Sequence, residues 1–96
     1  MRLDLALKHL CLVKSRSAAK SLCDAGRVLV DGVPARAAST LRAGHRVVIE
    51  FPRRKIRLEI RAVPERQLSK ARSRQCYAIL ESEGEADPEE SLLDGP

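Results

Sequence analysis

The chemistry open to this chain is set by its cations. Lys14, Arg16 and Lys20 fall on one outward side of a helix whose start is marked by Ser15, and Arg16 and Lys20 stand one turn apart. Arg2 near the beginning and Arg27 just past Gly26 can border the same surface, and Lys8 follows on the preceding helix. Side chains of this type, clustered this way, contact phosphates across one RNA groove. Ser15 and Ser17 add neutral hydrogen bonds to phosphate, as do the N–H groups that open the helix. The other reactive residues point to less. His9 and His45 have no partner at ligand spacing, and Cys11, Cys23 and Cys76 are odd in number, widely spaced and without a C-x-x-C. That pattern argues against a disulfide framework and against zinc. Cys11 and Cys23 read as small core hydrophobes on buried helix faces. Paired acids, a Ser–His–Asp set and a phosphate-cradling glycine loop are all missing from the sequence, so no catalytic site, metal or cofactor is expected.

The charge distribution favours a polyanionic partner. All 18 Lys and Arg lie between Arg2 and Arg74, while only six of the 13 acids precede residue 81. Residues 1–80 therefore carry a balance of +12 and residues 81–96 one of −7. A surplus this large exceeds what solubility requires and points to nucleic acid. Hydrophobic residues make up 44% of the 96, enough for a packed core, but aromatics only 2%. A platform of stacked aromatics for single-stranded RNA is thereby excluded. Asp4, Lys8 and His9 interrupt any signal-like apolar run and no stretch reaches membrane-spanning length, so a cytoplasmic protein without a membrane partner is expected.

The elements that must position these cations are short. Leu3, Ala6, Leu7, Leu10 and Cys11 share one helical face, predicting a helix that ends near Leu12–Val13, with Asp4 suited to its first turn and paired to Lys8. A second helix, N-capped by Ser15, buries Ala18, Ala19, Leu22 and Cys23 and stops at Gly26 in the left-handed conformation. Strand patterns follow at 27–30, around Pro34, which demotes its strand to an edge, and at 46–51. Another runs along Ile56, Leu58, Ile60 and Ala62, and Asp31-Gly32 and Ala43-Gly44 mark turns. Residues 65–75 read as a mobile basic link. Cys76, Tyr77, Ile79 and Leu80 suggest a short closing helix, with a last strand as the competing reading. From Glu81 onward the acidic sequence is expected to be disordered. The division is thus 1–63 for the folded domain, 64–80 for link and docking segment, and 81–96 for the tail.

Several separated blocks carry a resemblance. Arg2-Leu3-Asp4, Val13-Lys14-Ser15-Arg16-Ser17-Ala18-Ala19-Lys20, Ala25-Gly26-Arg27-Val28-Leu29-Val30-Asp31-Gly32 and Leu41-Arg42-Ala43-Gly44 before Val47-Val48-Ile49 resemble, in order, an S4-type RNA-binding domain. The resemblance implies an α+β fold of the S4 (αL) type, two helices packed on a small, mostly antiparallel sheet. It departs from the family in Asp31-Gly32, commonly Asn-Gly, and in Gly44-His45, commonly Gly-Asp, which removes a carboxylate expected to brace a turn. The length, the Met1-Arg2-Leu3-Asp4 start and the Tyr77-Ala78-Ile79-Leu80-Glu81 block resemble the RqcP group, small stand-alone S4 factors of bacterial ribosome-associated quality control.

That resemblance implies binding to obstructed large ribosomal subunits through rRNA and peptidyl-tRNA. It also implies support of C-terminal alanine tailing by an elongation partner protein, as a monomer. The alternative is a heat-shock-type S4 protein or another ribosome-associated rRNA-binding module. A pseudouridine synthase would need a catalytic domain that the 33 residues beyond the S4 core cannot supply, and a pure protein adaptor has no use for the +12 balance.

Overall fold

In the computed structural model, which describes residues 1–84, two helices cover one face of a five-stranded antiparallel sheet. The elements run α1 (Leu3–His9), α2 (Arg16–Asp24), β1 (Val28–Val30), β2 (Val33–Pro34), β3 (Arg46–Glu50), β4 (Arg54–Ile60), α3 (Lys70–Ser73), a single 3-10 turn (Arg74–Cys76) and β5 (Tyr77–Gly84). Spatial order in the sheet is β2-β1-β3-β4-β5. Pro34 sits in the edge strand β2, as its missing N–H demands. The expected S4-type arrangement is present, with a sheet that is antiparallel throughout.

Both helices end in the same hydrogen-bond pattern with different residues. After α2, Gly26 N–H donates to Cys23 O and Arg27 N–H to Leu22 O, with Gly26 at φ +73°. After α1, Cys11 N–H donates to Lys8 O and Leu12 N–H to Leu7 O, with Cys11 at φ +59°. These are two Schellman caps, and the left-handed position that glycine fills freely is in one case occupied by cysteine. Helix α1 therefore stops at His9, earlier than its apolar spacing predicts. Cys11 is half-buried outside the helix, not on its buried face, and its Sγ donates to Leu68 O at 3.3 Å and accepts from Gln67 Nε2 at 3.1 Å. The early stop turns Leu12 and Val13 into the core.

The core lies between helices and sheet: Leu3, Ala6 and Leu7 from α1 with Leu10 just past its end, Ala19 and Cys23 from α2, and Val28, Val47, Ile49, Ile56, Leu58 and Ile60 from the strands. Ala18 and Leu22 are only half-buried, and Ala62 is exposed beyond the end of β4. Asp31 and Gly32 both have positive φ, the two-residue hairpin turn that Asp-Gly predicts. Asp31 Oδ1 also accepts from the Arg46 N–H at 2.9 Å, tying that turn to β3. His45 takes over the bracing expected of a carboxylate: its Nδ1 accepts from the Arg42 N–H at 3.1 Å.

Past residue 63 the sequence reading needs correction. Residues 65–75 are not an unstructured link. Ser69 caps α3 by accepting from the Arg72 N–H, and Ser73 is buried with its Oγ donating to Lys70 O at 2.8 Å. The segment docks on the end of α1, where His9 Nδ1–H donates to Pro64 O and the Leu68 N–H donates to His9 O. The closing helix expected over Cys76–Leu80 is instead strand β5, the competing reading. It pairs with β4 from Ile60↔Tyr77 to Arg54↔Gly84, with a register shift beside Leu58. Strand β5 also takes in Glu81–Gly84, so disorder does not begin at Glu81, and the rest of the acidic tail lies outside the described residues.

Candidate nucleic-acid interface

The loop 35–41 ties down the beginning of the chain. The Leu3 N–H donates to Ser39 O at 2.7 Å, the Asp4 N–H to Ala37 O at 3.1 Å and the Leu41 N–H to Met1 O at 2.8 Å. Asp4 is thereby fixed at 2% exposure in the first turn of α1. Its carboxylate does not face Lys8, as the i,i+4 spacing suggested, but collects two arginines. Arg2 donates through Nε at 3.1 Å and Nη2 at 3.3 Å, and Arg16 through Nε at 3.1 Å. The Leu5 N–H adds a fourth hydrogen bond at 2.8 Å. Burial alone would raise the Asp4 pKa. The hydrogen bonds from Arg2, Arg16 and the Leu5 N–H, with the charge of Arg16, outweigh burial and hold the carboxyl below its ordinary value of 3.8.

This arrangement resolves an electrostatic conflict in the sequence. Arg16 is the first residue of α2, where the helix dipole disfavours a cation. Asp4 offsets that repulsion and at the same time immobilises both guanidinium groups by their inner edges. Each arginine side chain remains 49% exposed, with outer N–H groups turned to solvent. A guanidinium fixed in this way loses little further entropy on meeting a phosphate, and its remaining donors match phosphate oxygens.

The other expected contacts are placed as follows. Ser15 Oγ accepts from the Ala18 N–H at 3.0 Å, so its oxygen serves the helix cap. Ser17, Lys14 and Lys20 are exposed along the first turns of α2 and its approach, and Lys8 is exposed one turn beyond Asp4. Arg27 follows the C-terminal cap of α2, three residues past Asp24, its carbonyl accepting from the Glu50 N–H. One participant was missed. A groove of about 530 Å³ runs between α2 and the loop after β2, and Arg36 joins Arg2 and Lys20 in lining it. The segment Ala35-Arg36-Ala37-Ala38 has no periodicity to flag it. Only the hydrogen bonds from Leu3 and Asp4 to this loop bring it beside α1.

The outer face of the sheet is basic in sequence but balanced in space. Arg46 Nε lies 3.8 Å from Glu59 and Arg57 Nη1 3.5 Å from Glu81, while Lys55 stands opposite Glu50 on one side and Glu83 on the other. Among the described residues no three His, Cys, Asp or Glu side chains gather as a metal site, and no helix is long and apolar enough to cross a membrane.

Known proteins share this construction. The S4 domain family model matches residues 1–47. A protein from Halalkalibacterium halodurans named RQC P-site tRNA stabilizing factor is 40% identical over 65 residues, 68% of this chain and 74% of that one. A protein of the same name from Listeria innocua is 34% identical over 83 residues, 86% and 89% of the two chains. In fold, the chain is similar to the trimeric Heat Shock Protein 15 of Vibrio cholerae, with a TM-score of 0.78 over 82% of this chain and 80% of that one. The 20% identity of that pair speaks for the fold alone. The match to the S4 model covers both helices and the Asp4-centred arginine pair, and identity to the two factors extends well past it. The chain belongs to the S4-domain family of RQC P-site tRNA stabilizing factors.

Proposed function

We propose that this chain is a non-enzymatic RNA-binding factor of ribosome-associated quality control. It binds obstructed large ribosomal subunits that still hold peptidyl-tRNA, touches both rRNA and tRNA, and supports alanine tailing of the trapped chain by an elongation partner. It acts in the cytoplasm, as a monomer. The observation that carries this reading is the pair of half-exposed arginines clamped by a buried carboxylate, on a chain whose relatives are named for stabilizing a P-site tRNA. Arg2, Lys14, Arg16 and Lys20 supply the phosphate contacts, with Ser15, Ser17 and Lys8 around them. Arg27 makes a separate contact from the far end of α2.

Sedimentation with crosslinking tests the proposal. Tagged protein should migrate with free large subunits from cells whose translation has been stalled, and the crosslinked RNA should contain both 23S rRNA and tRNA. Deleting the gene should abolish alanine tails on stalled peptides. Migration with neither ribosomes nor RNA would refute the reading, and unchanged tailing in the deletion strain would remove its last step.

A further inference from the structure

The groove lined by Arg2, Lys20 and Arg36 contains a residue that phosphate binding does not explain. Asp24, the last residue of α2, lies in the same wall. A carboxylate there is disfavoured twice over: it opposes the helix dipole, and it repels the phosphates its cationic neighbours would attract. Lys20 precedes it by four residues, the weaker orientation for a helical ion pair. Among the described residues no hydrogen bond or ion pair engages the side chain of Asp24, Lys20 or Arg36. The opposite wall, segment 34–38, is built from proline and alanines around Arg36, so a flat ring can lie close to the backbone. At about 530 Å³ the groove is within the range of sites that hold one small organic group, roughly 300–1,000 Å³.

We infer that this groove takes a single unpaired guanosine of the bound RNA. Its phosphates meet Arg2, Lys20 and Arg36, its base lies along the Pro34–alanine wall, and Asp24 reads its Watson–Crick edge. The two oxygens of a carboxylate match the adjacent N1–H and N2–H donors of guanine. Cytosine and adenine each offer one amino group beside an acceptor, and uracil offers a single N–H between two acceptors, so none of the three matches both carboxylate oxygens. Unpaired bases are the usual target of sequence-specific RNA recognition, and reading this edge puts guanine ahead of the other three bases. The inference rests on the RNA-binding reading above and adds to it the identity of a nucleotide.

Short RNA hairpins with one bulged nucleotide provide the test, with full-length protein and affinities measured by fluorescence anisotropy. Wild type should bind the bulged-guanosine hairpin about ten-fold more tightly than the adenosine or uridine versions. Asp24→Asn should erase that preference while keeping or raising affinity for the others, and Arg36→Ala should weaken all of them alike. Both positions are exposed, so the variants should fold as the parent does, which circular dichroism checks. Competition by deacylated tRNA or by stripped large subunits then distinguishes which RNA supplies the base. Equal binding of all four hairpins, an Asp24→Asn effect of the same size on each, or competition by neither RNA would overturn the inference. Retained binding to large subunits in those cases would leave the proposed function standing, whereas loss of all RNA binding would end both.

Discussion

Two surfaces of this molecule are rich in arginine and lysine, and they differ in what their carboxylates do. Around the start of α1, Arg2, Arg16, Lys20 and Arg36 meet Asp4 and Asp24, and the one carboxylate that forms pairs is buried. On the outer face of the sheet, Arg46, Lys55 and Arg57 stand against Glu50, Glu59, Glu81 and Glu83 along the strands, all of them wholly or partly exposed. The first arrangement leaves positive charge over and holds two of its four cations, Arg2 and Arg16, in place. The second cancels its charge locally and leaves the side chains to solvent, where each pair contributes little. On the proposed reading, the number of basic residues is a poor guide to where RNA binds, and a surplus left over after local pairing is the better one.

The largest effect that would sharpen this contrast comes from removing both braced arginines. Arg2→Ala with Arg16→Ala strips the Asp4 carboxylate of both its guanidinium partners, three charge-assisted hydrogen bonds in all, and should cost about 2–4 kcal/mol in urea unfolding. The pH response should also flatten. In the parent the Asp4 pKa is lowered, so its contribution is present above the ordinary carboxylate value and is lost as pH falls below about 3.8. In the double variant the lowering effect of both arginines is gone and burial opposes only the Leu5 N–H, so less stability should be lost on acidification than in the parent. A double variant as stable as the parent would mean that the arginines do not hold Asp4.

Asp4→Asn comes next. Losing charge-assisted hydrogen bonds to two guanidinium groups should cost about 1–3 kcal/mol and flatten the acid limb of the stability profile. An acid limb unchanged by this substitution would place the acid sensitivity elsewhere. Arg57→Ala, on the balanced face, should shift stability by no more than about 0.5 kcal/mol and leave RNA affinity as it was. A loss of RNA affinity in this variant would break the comparison between the surfaces.

What the sequence made legible were features enforced locally. Ser15 caps α2, Gly26 ends it at positive φ, Asp31-Gly32 turns the hairpin, and Ile56, Leu58 and Ile60 alternate inward. The features it hid depend on contacts between distant segments. Cys11 occupies a left-handed cap that composition gives no reason to place there, because residues 67 and 68 supply partners for its sulfur. Tyr77–Gly84 has too few apolar residues to announce a strand, and β4 provides the ladder that orders it. In the candidate site most of the cations were legible, Arg36 excepted, and their organisation was not. Asp4 looked like a partner for Lys8, and Arg16 like a phosphate contact with no partner inside the protein, because the link between them spans twelve positions.

The most direct test of the central claim is the salt dependence of affinity for stripped large subunits, compared between Lys20→Ala and Arg57→Ala. Both substitutions remove one cation, so net charge changes equally, and neither touches Asp4. If surplus charge on the α1–α2 side carries the binding, log Kd against log salt should lose about one unit of slope in Lys20→Ala and none in Arg57→Ala. Equal slopes for the two variants, or a larger loss in Arg57→Ala, would contradict it.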